Sequence, residues 1–576
     1  MYFKGSGKSA GADIDYRLAA VPNRLRGCGK HMRHTITRFK ERIYSLPDRT
    51  ARQLTYAAFF IISFLFMYSF SLWISPRYKN WYGCDASFFT LVGRGMLKGM
   101  VPYRDFYDLK GPYFFFIQAL GQLIHKGHTG LFILEILHLF ASLILIYNIG
   151  TMYISKKKTL GIIVFFLLAY ISMLWGGNCL EEFCLPLNLL VIWLNLKCFT
   201  FDGHNDGLYL TSFITGICFT FMTFSKITAG SPLIGLVTGV FILLLIHKEF
   251  RQLGYYILYL TLGAMIAFLP LLIYYGYHNS ILKMLYCTFI FGFNRSRDLS
   301  HAVSVDLEVK LSGVSFSIVF IILHMFEGNC STGVSHTDTP DCEPDKISAQ
   351  STTEISGGAG KGSNTERNTS DTRLPHNISI LLLPMSVVTY LALHLGDSFI
   401  YYFITGMPCM LMSLIFFLKL YDPLILFKNL KQSLCWLFIF IFVFHYTGES
   451  IGTVKLFLNR SDEEFQSNYY RNSKNMGLLI PENDRDSVFS FDIDMQWYEI
   501  NDILPCNKYM VNLQYFIALE PSIEQELFDF MENTPPKWMI CSNTLPDYLP
   551  QMDEIVRRKY DCIYSTDVGL VYLLRE

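Results

Sequence analysis

Seven charged side chains stand close together between Tyr82 and Pro112: Asp85, Arg94, Lys98, Arg104, Asp105, Asp108 and Lys110, in the stretch YGCDASFFTLVGRGMLKGMVPYRDFYDLKGP. They follow closely on the uncharged run LTYAAFFIISFLFMYSFSLWI, Leu54–Ile74, which is long enough to cross a bilayer. Across residues 76–128 seven Lys and Arg face three acids. That excess, on the side of the membrane where basic residues are usually scarce, is explained by a bound anionic ligand. Glycine and proline at Gly99, Pro102, Gly111 and Pro112 cut the stretch into a helix and a short charged loop held at headgroup level. A carboxylate at that depth is expensive to keep without a use, which singles out Asp85.

The elements that must position these groups are mostly apolar. The 576 residues are 51% hydrophobic and 17% charged, and the apolar residues are clumped into runs, which excludes an ordinary soluble domain. The predicted architecture is a polytopic α-helical membrane protein with about eleven transmembrane helices, near 54–74, 129–150, 159–175, 183–200, 208–224, 229–246, 253–276, 313–326, 377–393, 398–418 and 432–446. Residues 1–53, with 12 Lys and Arg against 4 acids, form a basic cytoplasmic tail, and the first apolar run is expected to stay as an anchor. Alternation then puts the basic groups Lys156–Lys158, His247–Arg251 and Lys419–Lys431 inside. It puts the first outer loop, 76–128, and the C-terminal region, 447–576, outside.

Within the outer loop, Phe88, Leu91, Val92, Met96 and Leu97 recur at helical spacing over Ser87–Lys98, predicting an amphipathic helix on the outer leaflet. Residues 113–125, YFFFIQALGQLIH, are too short to span and are expected to lie along or re-enter that face. Residues 327–376, rich in Ser, Thr and Gly, read as a disordered cytoplasmic insertion. The acidic C-terminal region reads as an extracytoplasmic α/β domain. Its expected strands are 487–491, 509–513, 538–542 and 570–574, in βαβ units with a parallel sheet, and its clearest helix is 521–534.

Several familiar chemistries are not supported. GSGKS near the N-terminus has Tyr2 where the phosphate loop needs glycine, and no strand precedes it. No glycine-rich loop follows a C-terminal strand, and nothing indicates nucleic acid as a partner. Cys179 and Cys184 have the wrong spacing for a zinc pair, and the 14 cysteines suggest neither a metal site nor a disulfide framework. Glu135 and His138, three apart in one spanning segment, are expected to pair structurally. Tyr401 and Tyr402 read as part of an interfacial aromatic belt.

The stretch CDASFFTLVGRGMLKGMVPYRDFYDLKGPYFFFIQALGQLI resembles the first outer loop of the GT-C glycosyltransferases, in the bacterial branch similar to protein O-mannosyltransferases and the lipid A aminoarabinose transferase. An acid after the first membrane helix, a basic-Gly-Pro element and a short surface helix map onto Asp85, Lys110-Gly111-Pro112 and residues 113–125. GGNCLEEFCLP resembles the second acidic outer loop, FSKITAGSPL a basic residue at the outer end of a later hairpin, and DSFIYYFITGMP a late Tyr-rich helix ending in proline. Many members carry two adjacent acids in the first loop. Here Ala86 follows Asp85, which argues against a paired-acid divalent metal site at that spot; metal dependence is left open and no other cofactor is implied.

The resemblance implies an inverting glycosyltransferase in the cell (plasma) membrane. It would move a sugar from a polyprenyl-phosphate donor to a hydroxyl of a glycan, lipid or protein acceptor. It implies Asp85 as the base that takes the acceptor proton. Lys110, Arg104 and Lys226 would hold the phosphate, and Glu182 or Glu181 would be a second acid. Plainer roles stand beside these: Lys110 and Arg104 as cations on lipid headgroups, and the two glutamates as acids at a helix N-terminus. From another class comes a transporter or flippase of a lipid-linked saccharide, which would use the same basic surface. The charges gather at one face rather than the midplane, and no half-to-half repeat is visible, both unlike a transporter. A sensor binding glycan through its C-terminal domain is a third reading.

Overall fold

The computed structural model describes residues 48–200, 207–293, 305–325, 376–394, 399–421, 430–459, 463–511, 513–542 and 549–576. The phosphate-loop-like segment and nearly all of the 1–53 tail and the 327–376 insertion lie outside the described residues. Two units divide at Ile62. In the first, residues 48–62 are helical and begin α1 (Asp48–Phe70); everything below concerns the second, Ser63–Glu576.

The chain runs through α2 (Cys84–Leu97), α3 (Pro112–Ile124), α4 (His128–Tyr153), α5 (Lys156–Met173), α6 (Leu180–Thr200), α7 (Leu208–Thr223), α8 (Ser231–Ile246) and α9 (Phe250–Tyr277). Next come α10 (Ile281–Leu285), extended by a wider π-helical stretch to Phe291, then α11 (Val305–Met325), α12 (His376–Leu393), α13 (Met407–Leu420) and α14 (Leu430–Asn459). Eight helical segments among the described residues are long and apolar enough to cross a membrane. The other three expected spans are also helical but fall short: α5 begins with three lysines, α7 has 16 residues, and the apolar part of α11 is only Gly313–His324. This is a multi-pass membrane protein. Helix α9 shows why: it leaves Leu258, Met265, Ile266 and Ile273 more than half exposed, a surface that lipid solvates and water does not. Between the helices, buried polar groups pair with each other. Ser317 lies 2.7 Å from Ser386 and 2.5 Å from Ser413, joining α11, α12 and α13. Tyr256 donates to Asn195, which in turn donates to Thr215, joining α9, α6 and α7.

The C-terminal region contains α15 (Glu463–Leu478), β1 (Val488–Phe491), α16 (Gln496–Asn501), α17 (Leu513–Leu519), α18 (Ser522–Asn533), β2 (Trp538–Cys541), α19 (Pro550–Lys559), β3 (Tyr560–Ser565) and β4 (Leu570–Leu574). The sheet order is β1-β2-β4-β3, with β1–β2 parallel but β2–β4 and β4–β3 antiparallel, so the expected all-parallel sheet is corrected to a mixed one. Among the described residues of the expected strand 509–513 none is in a strand. Tyr509, Met510 and Val511 are buried because this apolar run packs on the loop 76–128, where the Tyr107 ring lies 5.2 Å from that of Tyr509 and the Tyr107 amide donates to the Lys508 carbonyl. Strand β3 carries little sequence signal, because it follows α19 without a turn signal and is an edge strand exposed along most of its length.

The helix expected to lie on lipid, α2, is also corrected. Ala86 through Gly93 and Gly95 are all buried, packed against α3 and α16. The face expected to meet the membrane is covered by α3, with Phe88 against Phe115 and Phe89 against Phe114, and by α16. Arg94 makes the join, its guanidinium 3.2 Å from the Glu499 carboxylate and 3.4 Å from Asp502.

Candidate active site

The loop 76–128 is stitched to the end of α7 by its backbone. Gly111 donates to the Ser225 carbonyl at 2.7 Å and Tyr113 to that of Phe224 at 3.1 Å. Gly111 has ordinary extended dihedrals, so its left-handed freedom is unused. What it supplies is room: a Cβ there would sit 2.2 Å from the Phe224 oxygen. This close approach sets Lys110 and Lys226, far apart in sequence, on neighbouring segments. Pro112 then opens α3 at a position where no amide donor is needed.

Between these segments lies a cleft of about 560 Å³. Its charged walls are Asp85, Lys110, Glu181 and Lys226; its aromatic walls include Trp73, Trp175, Phe399, Tyr401, Tyr402 and Tyr515. Asp85 sits in the first turn of α2 and is exposed to the cleft; among the described residues no hydrogen bond or ion pair engages its carboxylate. Lys110 lies 3.6 Å from the buried Asp108 carboxylate and 4.8 Å from the centre of the Phe89 ring, and its carbonyl accepts from the Tyr103 hydroxyl. Lys226 is held between the Glu181 carboxylate, 2.6 Å away, and the Tyr402 ring, whose centre is 3.2 Å away. Tyr402, assigned to an interfacial belt, and Tyr401 therefore belong to the cleft.

Two other expected site residues are placed elsewhere. Arg104 does not line the cleft: its guanidinium grips the neighbouring Asp105 carboxylate at 2.9 and 2.7 Å, and that carboxylate also accepts from the Val101 amide. The pair staples a turn. Glu182 points away from the cleft and accepts from the Cys179 amide three residues back, the reach-back half of a capping box. One residue of helical rotation thus separates Glu181, in the wall, from Glu182, under it. Glu135 and His138 do not pair either. Glu135 accepts from Ser71 and from the Asn178 amide, while the His138 ring nitrogen meets the Leu134 carbonyl. Cys84 also lines the cleft. Burial, with the charges of Asp494 and Asp85, pushes its thiol up to about 12, which keeps it protonated and excludes it as a nucleophile at neutral pH.

The C-terminal region anchors the loop's far side. Glu499 is buried and bonded to His128 at 2.7 Å as well as to Arg94. Burial alone would raise its pKa, but His128 and Arg94 outweigh it and hold the carboxyl below its ordinary value. Lys126 pairs with Asp502 at 2.6 Å. Tyr107 donates to Glu520 at 2.6 Å, three residues before Lys110. Sequence patterning pointed to none of these partners, because each joins residues hundreds of positions apart.

The Lys226–Glu181 pair carries a stability prediction. Glu181 is 2% exposed, so Lys226→Ala strands a buried carboxylate and is expected to cost about 3 kcal/mol. The double variant Glu181→Gln/Lys226→Met should melt within a few degrees of wild type in the same detergent. Equal melting of Lys226→Ala and the double variant would show that Glu181 has another partner.

No family model matches the sequence, and no curated protein does. Among solved structures the chain is similar to ArnT from Cupriavidus metallidurans. Bound to undecaprenyl phosphate, that protein gives a TM-score of 0.55 at 9% identity, covering 91% of this chain and 98% of the other. Its apo state gives 0.52 over the same shares at the same identity. The fold is therefore that of ArnT, a GT-C glycosyltransferase, as the outer-loop resemblance implied. At this identity the likeness speaks for the fold, and the roles of individual residues rest on the cleft itself.

Proposed function

We propose that the chain is an inverting membrane glycosyltransferase that moves a sugar from a polyprenyl-phosphate donor to an acceptor hydroxyl at the outer face of the cell membrane. The observation that carries it is one cleft holding a carboxylate that no hydrogen bond or ion pair engages among the described residues, Asp85, together with two cations, Lys110 and Lys226. In the proposed step the acceptor oxygen attacks the anomeric carbon from the side opposite the phosphate. Asp85 takes the hydroxyl proton as the new C–O bond forms. The bond from the anomeric carbon to the phosphate oxygen breaks, and polyprenyl phosphate leaves with one more negative charge. Lys110 and Lys226 stabilise that charge as it develops. Glu181 holds Lys226 in place and is the second acid of the site; Arg104 and Glu182 act outside it. The ArnT fold, seen in a structure holding undecaprenyl phosphate, supports a lipid-phosphate ligand. The decisive experiment incubates purified protein with polyprenyl-phosphate sugars and a mixed pool of envelope acceptors. Transfer with inverted anomeric configuration is expected; binding or movement of the donor without transfer would favour the flippase.

The topology proposed with this function has eleven spans, a cytoplasmic N-terminus and an extracytoplasmic C-terminal region. On a cysteine-free background, Lys98→Cys and Lys126→Cys should label with an impermeant thiol reagent on intact cells, while Lys248→Cys should label only after permeabilisation. Labelling of residue 248 on intact cells would invert the arrangement and remove the donor cleft from the outer face.

A further inference from the structure

Four consecutive residues at the edge of the cleft have left-handed backbone: Trp175 at φ 48°, Gly176 at 90°, Gly177 at 93° and Asn178 at 57°. Glycine adopts this readily, but Trp and Asn do so at a cost and only where the surroundings enforce it. The surroundings here are tight. The Trp73 indole nitrogen donates to the Trp175 carbonyl at 2.8 Å, and the Trp73 amide donates to the Gly176 carbonyl at 2.8 Å. The Asn178 amide donates to Glu135, and its side chain exchanges hydrogen bonds with Gln118 at 2.7 and 3.1 Å. A Cβ on Gly176 would lie 2.1 Å from the Trp73 indole nitrogen, and one on Gly177 would lie 2.3 Å from the Ser71 hydroxyl. The turn is wedged in place from below.

What this turn presents is Trp175. Its side chain is 59% exposed, while Leu174, Gly176, Gly177 and Asn178 are all buried. A large aromatic ring is thus held, at a conformational cost, in the wall of a cleft whose other groups are Asp85, Lys110, Glu181 and Lys226. Cations suit a phosphate and carboxylates suit hydroxyls. A flat apolar face among them suits a ligand with one apolar C–H face and a polar rim, which describes a pyranose ring.

We propose that Trp175 is the sugar-recognition residue of this cleft, stacking on the C–H face of the transferred pyranose. The inference rests on the glycosyltransferase reading above but goes beyond it, since it concerns the sugar rather than the phosphate or the proton. Sugars that present a flat C–H face bind through Trp175, and those with an axial hydroxyl on that face bind less well. The alternative role for an exposed tryptophan near a membrane helix end is anchoring in the headgroup layer. That role predicts nothing about sugars.

The test measures affinity of purified full-length protein for bare undecaprenyl phosphate and for its glucosyl, mannosyl, galactosyl and arabinosyl esters. Wild type, Trp175→Phe and Trp175→Leu are compared. Leucine keeps an apolar side chain able to sit in lipid, and phenylalanine keeps an aromatic face. All three are expected to bind bare undecaprenyl phosphate alike. Wild type should bind at least one ester more tightly than the bare lipid. Trp175→Leu should lose about three- to tenfold of that advantage, the usual worth of an aromatic contact, and Trp175→Phe should retain most of it. An undiminished sugar advantage in Trp175→Leu overturns the proposal while leaving the enzyme reading intact. So does a wild type that binds every ester no better than the bare lipid. Failure of wild type to bind even the bare lipid would instead sink the donor assignment. If Trp175→Leu is unstable, Trp175→Met takes its place beside Trp175→Phe: loss of the ester advantage in the Met variant with its retention in the Phe variant supports stacking, and an equal ratio in the two refutes it.

Discussion

Asp85→Asn is expected to lower sugar transfer by about 10²- to 10⁴-fold, the usual worth of a positioned general base. The amide has nearly the size and shape of the carboxylate but cannot accept the acceptor's proton. Asp85 can be changed with little structural cost: it is exposed in the first turn of α2, and among the described residues it holds no hydrogen bond or ion pair. An acid in a helix's first turn gains some stability from the helix dipole, roughly 0.3–1 kcal/mol, so melting should move little. Donor affinity should survive, because the proposed phosphate grip belongs to Lys110 and Lys226. Donor affinity and turnover measured on the purified variant beside wild type separate the two roles. Full turnover would remove Asp85 from the chemistry and pass the base role to Glu181. Glu182 is a poorer substitute, since it caps its own helix beneath the wall.

How far these residues could be read from sequence follows the range of the interactions involved. The membrane helices announce themselves through local apolar runs, and the ArnT-like fold through the local order of an acid, a basic-Gly-Pro element and a short helix. Lys110 and Asp85 belong to that order, and both line the cleft. Arg104 matched by type, but whether it reaches the cleft depends on a neighbouring carboxylate that a pattern counts as merely another charge. Glu181 and Glu182 differ by a rotation of one helical residue, which sequence reveals only if the exact helix start is known. Tyr509–Val511 and the buried face of α2 mislead a reading of sequence for one reason. Each is apolar because it packs on other segments of the chain, α2 on α3 and α16 and Tyr509–Val511 on the loop that carries Tyr107, and a run that faces a partner segment resembles one that faces lipid or pairs in a sheet. Trp175 left a faint signal: a tryptophan before Gly-Gly-Asn is an unusual place for a large side chain unless the turn is built to hold it out.

Gly111→Ala is expected to disable transfer without removing any charged or aromatic group from the cleft. The glycine's dihedrals, φ −76° and ψ 158°, suit alanine equally well, so no conformational strain is introduced. The difficulty is space. The added Cβ would lie 2.2 Å from the Phe224 oxygen, 2.3 Å from its carbonyl carbon and 2.7 Å from the Ser225 nitrogen. These are backbone atoms, and none can swing aside as a side chain would. Relief requires the two segments to part by roughly 1 Å, which stretches the bonds from Gly111 to Ser225 and from Tyr113 to Phe224 and carries Lys110 away from Lys226. A displacement of that size in a site proposed to hold one phosphate between two cations is expected to cost about 10²-fold in kcat/KM. Donor affinity should fall with it, the reverse of the Asp85→Asn pattern. Gly254→Ala is the matched control, because a Cβ there meets nothing within 4 Å. It should leave transfer unchanged. If Gly111→Ala melts like wild type and transfers at the wild-type rate, then the spacing of Lys110 and Lys226 does not matter, and the two lysines cannot share one phosphate.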